Sequence, residues 1–188
     1  LGNLITPVRH CFNYAEEQFL GDLPDTYIQV VMNYNDAGEL VHTGVFVGDD
    51  LDTYLEAAKL SREQNITVFD EPIGKIVAVM QADEFRATWV ANKAVYRTRM
   101  AMADGGELLV IAPGVERFGE QPEVDDLIRK YGYITQAEVL DLFPNSADMQ
   151  DIPHGTAHLV HGSPEGRFTI RYAPGHLTRE DVESVGYQ

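Results

Sequence analysis

Arg86, Val90, Lys93 and Arg97 recur at i, i+4, i+7 and i+11, the spacing that lines up one face of a helix. A guanidinium forks onto a carboxylate or phosphate and an ammonium acts as a compact point charge, so such a row suits a small anion. Beside it, Phe85, Trp89, Tyr96 and Met100 make an apolar stripe that would pack on a sheet. The same row also suits a solvated face pairing with nearby acids, the commoner case for surface cations. A helix C-terminus attracts Arg97 and Arg99 with no function implied. Spacing alone leaves both readings open.

A second group is His154, His158 and His161, at i, i+4 and i+7. A helix would align them, and two could chelate zinc or nickel. Pro153 and Gly155 disturb the start of that helix, and no acidic ligand stands at helical spacing inside it. Histidines more often satisfy a local hydrogen bond, and His10, His42 and His176 stand isolated. Phosphate-loop, dinucleotide-binding and nucleophile-elbow motifs are absent, and no carboxylate pair stands out for acid/base work. The sole cysteine, Cys11, reads as a small core residue of the first helix. One cysteine forbids an internal disulfide and fits a reducing compartment such as the cytoplasm.

The bulk charge narrows the partners. Fourteen Lys+Arg against 30 Asp+Glu leave a formal charge of −16, which argues against nucleic acid or an anionic membrane as a general partner. It says nothing against one local basic pocket. No apolar run approaches the ~20 residues that span a bilayer. "LGNLITPVRH" carries no signal-peptide pattern, and a start at Leu1 leads to the expectation of a longer protein.

The elements that must position these residues alternate. Thr6-Pro7 caps and opens a helix to about Phe19. "TYIQVVMNY" and "ELVHTGVFVG", joined by "NDAG", form a hairpin. "DDLDTYLEAAKLSREQ" is a helix, and "ITVFD" and "KIVAVM" are strands. Asp83 caps one long helix, "EFRATWVANKAVYRTRMAMA", stopped by Gly105-Gly106. "ELLVIAP" is a strand buried on both faces. "PEVDDLIRKYG", "TQAEVLDLF" and "HGTAHLVHG" are helices, "RFTIRYAP" a strand, and Thr178 with Asp181 opens a last helix by a capping box. The pattern predicts one α/β domain over residues 1–188, a mixed sheet covered by helices with an N-terminal β-hairpin.

"LGNL", "YIQVVMNYNDAGELVHTGVFVGD", "NKAVYRTRMAMADGGELLVIAPG", "FGE" and "PGHLTRE" resemble the C-terminal domain of the nickel-dependent lactate racemase family. The likeness runs from Leu1 to about Pro122, and less closely to the end. It implies a two-domain enzyme that inverts C2 of a 2-hydroxy acid, with substrate in the interdomain cleft. A nickel-pincer nucleotide, held by the N-terminal domain, would accept and return the C2 hydride, and two histidines there would serve as acid and base. None of those residues lies in this chain, so no catalytic residue and no metal ligand is expected here. The family's substrate-side lysine falls on Lys93, and the glutamine three residues before it is Val90. A pocket tryptophan is replaced near Gly155, which implies a pocket opened for a larger acid such as an aldonate. His154 or His158 would then bond its hydroxyls, and Arg97 would shape the field. The family usually continues past the "GHLTRE" helix, so a sheet edge left unpaired would invite homo-oligomers. Two other classes stand beside this one: a non-catalytic module binding a small carboxylate or phosphate, and a metal-binding domain centred on the three histidines.

Overall fold

The computed structural model describes residues 4–21, 23 and 25–188; the Leu1–Asn3 start of "LGNL" lies outside them. The chain divides into two compact units, Leu1–Val68 and Phe69–Gln188, where the sequence, with no linker composition at the boundary, reads as one domain.

In the first unit, α1 spans Pro7–Phe19. The Thr6 hydroxyl accepts from Arg9 N at 3.2 Å, and proline at the first position costs no hydrogen bond there. No described residue of α1 is buried, so Cys11 is exposed and its expected core position is corrected. Strands β1 (Tyr27–Tyr34) and β2 (Leu40–Gly48) pair antiparallel. Their turn is held by Asn35 Oδ1, which accepts from Ala37 N and Glu39 N, and Gly38 supplies the positive φ of 76°. Helix α2 (Leu51–Asn65), capped by Asp50, covers one face of the hairpin. Val31 and Ala57 are buried there, Gly44 leaves room for Leu60, and Asn33 Nδ2 donates to Gln64 O at 3.1 Å.

"ITVFD" is not a strand. Ile66, Val68 and Phe69 are exposed, and no neighbouring strand pairs with them to satisfy an extended backbone.

The second unit holds a parallel sheet of β3 (Ile73–Val79), β4 (Met102–Ala112) and β5 (Thr169–Pro174), in that spatial order. Central β4 is fully buried at Leu108, Val110 and Ala112 and half-buried at Leu109 and Ile111, so one of its faces is closed more completely than the other. Mixed α/β architecture with a separate hairpin is therefore what the chain adopts. The expected long helix is not. Residues up to Ala87 precede it, and only α3 (Thr88–Ala91) and α4 (Lys93–Thr98) are helical, parted at Asn92. The reason is competition for the backbone: Ala87 forms a parallel bridge with Arg117, and Thr88 N and Trp89 N donate to Arg117 O and Phe118 O. Gly105-Gly106 lies inside β4, not after a helix. Gly105 takes φ 75° and donates to Arg167 O at 2.6 Å, and a side chain at Gly106 would strike Gly74 O.

Helices α5 (Pro122–Tyr131), α6 (Gln136–Leu142), α7 (Ala147–Asp151) and α8 (Pro153–His161) follow β4. Helix α9 (Arg179–Ser184) follows β5, with the Thr178/Asp181 capping box formed as predicted. Gln188 then pairs beside β5, donating to Ile170 O and accepting from Tyr172 N, so that part of the sheet edge is occupied. Among the described residues, no helix is long and apolar enough to cross a membrane.

Candidate functional site

Trp89 of α3 and Tyr96 of α4 meet the histidines of α8 in the second unit. The Trp89 ring lies 4.5 Å from the His158 ring and 6.0 Å, edge-on, from that of His154. Tyr133 closes the other side of His158 at 5.7 Å. His158 is 3 % exposed and its Nε2 finds no partner among the described residues. Burial, with His161 adding charge nearby, pushes its pKa down to about 3, because desolvation penalises the cation. His158 is thus a neutral packing residue inside the unit. His154, by contrast, is exposed, with Nε2 3.4 Å from Gln121 Oε1. Gln121 was not legible in the sequence, since its role depends on α5 and α8 packing together.

His161 lies 6.2 Å from His158, ring to ring, and packs on Tyr96 at 5.6 Å. No three His, Cys, Asp or Glu side chains gather to hold a metal ion among the described residues. His161's pKa is lowered by burial and then by Arg99. Arg99 itself does not serve its own helix. Its Nη2 donates to Val160 O at 2.8 Å and His161 O at 2.7 Å, placing a cation on the negative end of α8. Arg99→Ala should cost about 2 kcal/mol, the worth of charge-assisted bonds to carbonyls at a helix end. It should also raise the His161 pKa, read by proton NMR. An unchanged His161 titration with unchanged urea midpoint would count against the cap.

Lys93 is half-buried and Arg97 exposed, both on α4. The Lys93 ammonium lies 5.7 Å from the Phe85 ring centre. Among the described residues neither cation forms an ion pair, whereas Arg86 reaches Glu116 at 3.9 Å. Arg86 precedes α3, so the four-residue row is broken and its cationic core is Lys93 with Arg97. Val90 is half-buried on α3.

Gly155 is buried, and a Cβ there would meet Ile152 Cγ2 at 2.9 Å and Leu127 Cδ2 at 3.0 Å. Its missing side chain lets α8 approach α5. A groove of about 590 Å³ lies along β5 and α9, lined by Arg171, Leu177, Arg179 and Gln188. Its two arginines are paired with Glu107 and Glu183, so it offers no free cation.

Neither a scan against protein-family models nor a search of curated proteins finds a match. Among solved structures, a crystal structure of a protein from Thermotoga maritima is similar at a TM-score of 0.74 and 22% identity, over 99% of this chain and 47% of that one. The lactate racemase apoprotein from Thermoanaerobacterium thermosaccharolyticum is similar at a TM-score of 0.68 and 14% identity, over 97% of this chain and 41% of that one. The chain thus spans less than half the length of either neighbour, and at these identities what it shares with lactate racemase is the fold.

Proposed function

We propose that this chain is the substrate-side part of a two-domain racemase or epimerase that inverts C2 of a 2-hydroxy acid by hydride transfer, and that Lys93 pairs with the substrate carboxylate. The observation that carries the reading is Lys93 itself: a half-buried cation with no carboxylate partner among the described residues, in a chain with 30 acidic side chains. An ammonium held against an aromatic ring and left unneutralised is poised for an external anion. Arg97, one turn on, strengthens the local field. Val90 offers an apolar wall, and exposed His154 with Gln121 offers polar contacts to a longer, hydroxylated acid.

The fold likeness to lactate racemase supports the reaction class. In this reading an N-terminal catalytic domain would hold a nickel-pincer nucleotide, which would supply the hydride acceptor. This chain's own part is to bind and orient the acid.

The test uses the full-length protein, cofactor-free for binding and co-produced with cofactor-making enzymes for turnover. Lys93→Ala should weaken 2-hydroxy-acid binding to the cofactor-free protein roughly 10- to 100-fold by calorimetry, the worth of one charge-assisted bond. Lys93→Arg should recover part of it. Unchanged affinity for lactate and gluconate would sink the carboxylate role. Binding without inversion at C2 in heavy water would favour a non-catalytic anion-binding module.

A further inference from the structure

We infer that the face of the β1–β2 hairpin turned away from α2 docks the catalytic domain of the proposed two-domain enzyme, an inference that rests on that reading. Burial alternates along both strands. The inward positions pack toward α2, and the outward ones are Ile28 (69% exposed), Val30 (47%), Tyr34 (69%), Leu40 (55%), Val45 (60%) and Val47 (61%). They pair across the strands, Ile28 with Val47, Val30 with Val45 and Tyr34 with Leu40, so they form one continuous apolar stripe. Met32 and His42 complete it, and no Asp, Glu, Lys or Arg stands on it.

An antiparallel sheet commonly keeps one face solvated and polar, so an outward face that is apolar throughout is built to be covered. The first unit also lacks a core of its own. Among the described residues its buried apolar side chains are Val31 and Ala57, against 23 from Ala87 onward. Two strands and two helices with so little burial cannot offset ordering costs of about 1–2 kcal/mol per residue. Cover must come from elsewhere.

Charge separates the possible occupants. Residues 1–68 hold 3 Lys+Arg against 11 Asp+Glu, a formal −8. A second copy docking through this face would bring another −8 against the first, without a cation on the stripe to compensate. The structural neighbours supply the better occupant, because more than half of each of their chains lies outside the part this chain matches.

The test compares Val45→Lys and Ile28→Glu in the full-length protein and in the 188-residue chain. In the full-length protein each should lower the unfolding midpoint by more than about 5 °C; in the shorter chain each should shift it by less than about 2 °C. If Val45→Lys prevents folding, the near-isosteric Val45→Thr serves for the same comparison. Equal losses in both proteins would place the cover within this chain and overturn the inference. So would a concentration-dependent dimer of the shorter chain that Val45→Lys dissolves. A full-length protein with no histidine-bearing domain ahead of this chain would instead defeat the functional reading beneath it.

Discussion

Substituting Gly162 with alanine is expected to cost roughly 3 kcal/mol or more, the upper range for overpacking a core. Gly162 follows α8 at φ −83°, so backbone strain is not the issue; space is. A Cβ there would overlap the edge of the Tyr133 ring and come within 2.6 Å of Asn92 Nδ2. Neither neighbour can retreat. The Tyr133 ring stacks on Tyr187 at 4.8 Å, Tyr187 stacks on Tyr172 at 5.2 Å, and the Tyr133 hydroxyl bonds Thr88 Oγ1 at 2.6 Å. Asn92, fully buried, donates to Tyr187 Oη at 3.1 Å, and Tyr187 Oη donates onward to Gly162 O at 2.8 Å. One methyl therefore pushes on a closed chain of contacts. Because Asn92 sits between α3 and α4, the displacement should also weaken anion binding at Lys93. Urea unfolding measures the first effect. A stability within about 0.5 kcal/mol of the parent would show that the stack is looser than its geometry implies.

The second large effect is acid sensitivity. His158 takes up a proton near 6.5 when free of its surroundings but only near about 3 in the folded chain. Between those values the unfolded state binds the extra proton, so its contribution is fully present above pH 6.5 and is lost as pH falls toward 3. One proton is worth about 1.4 kcal/mol per pH unit, which makes the loss about 2 kcal/mol between pH 6.5 and 5. His158→Phe keeps an aromatic ring beside Trp89 and Tyr133 but cannot be protonated, and Nε2 loses no partner. Its unfolding free energy should therefore fall less steeply across that window. His161, shifted in the same direction, remains in both proteins and cancels in the difference. Parallel slopes for the two would mean that His158 is wetter than its burial indicates.

Local signals carried well from sequence to structure. Thr6-Pro7 and the Thr178/Asp181 box mark helix starts that the structure forms, because each cap is satisfied within a few residues. The hairpin register follows from its turn chemistry in the same way. What failed depended on distant partners. Nothing near Ala87 announces its bridge to Arg117, so the helix looked twenty residues long. The Gly-Gly pair looked like a helix stop, although Gly105 serves a carbonyl 62 residues away. At the candidate site, the helical setting of Lys93 was legible in its spacing. The burial of His158 and the α5 contact of Gly155 were not, since both arise from helix packing that spacing does not encode.

The tyrosine stack also sets a clock. Asn92 and Tyr187 are 95 residues apart, and Thr88 and Tyr133 are 45 apart. The second unit therefore closes its interior with contacts of high sequence separation, and loops of that length must be drawn shut before the contacts repay them. On the ribosome, the sheet and α8 emerge well before Tyr187 does, so an unfinished interior waits exposed. Refolding should accordingly be slow for its size, and a destabilising change at Tyr187 should accelerate unfolding more than it delays collapse.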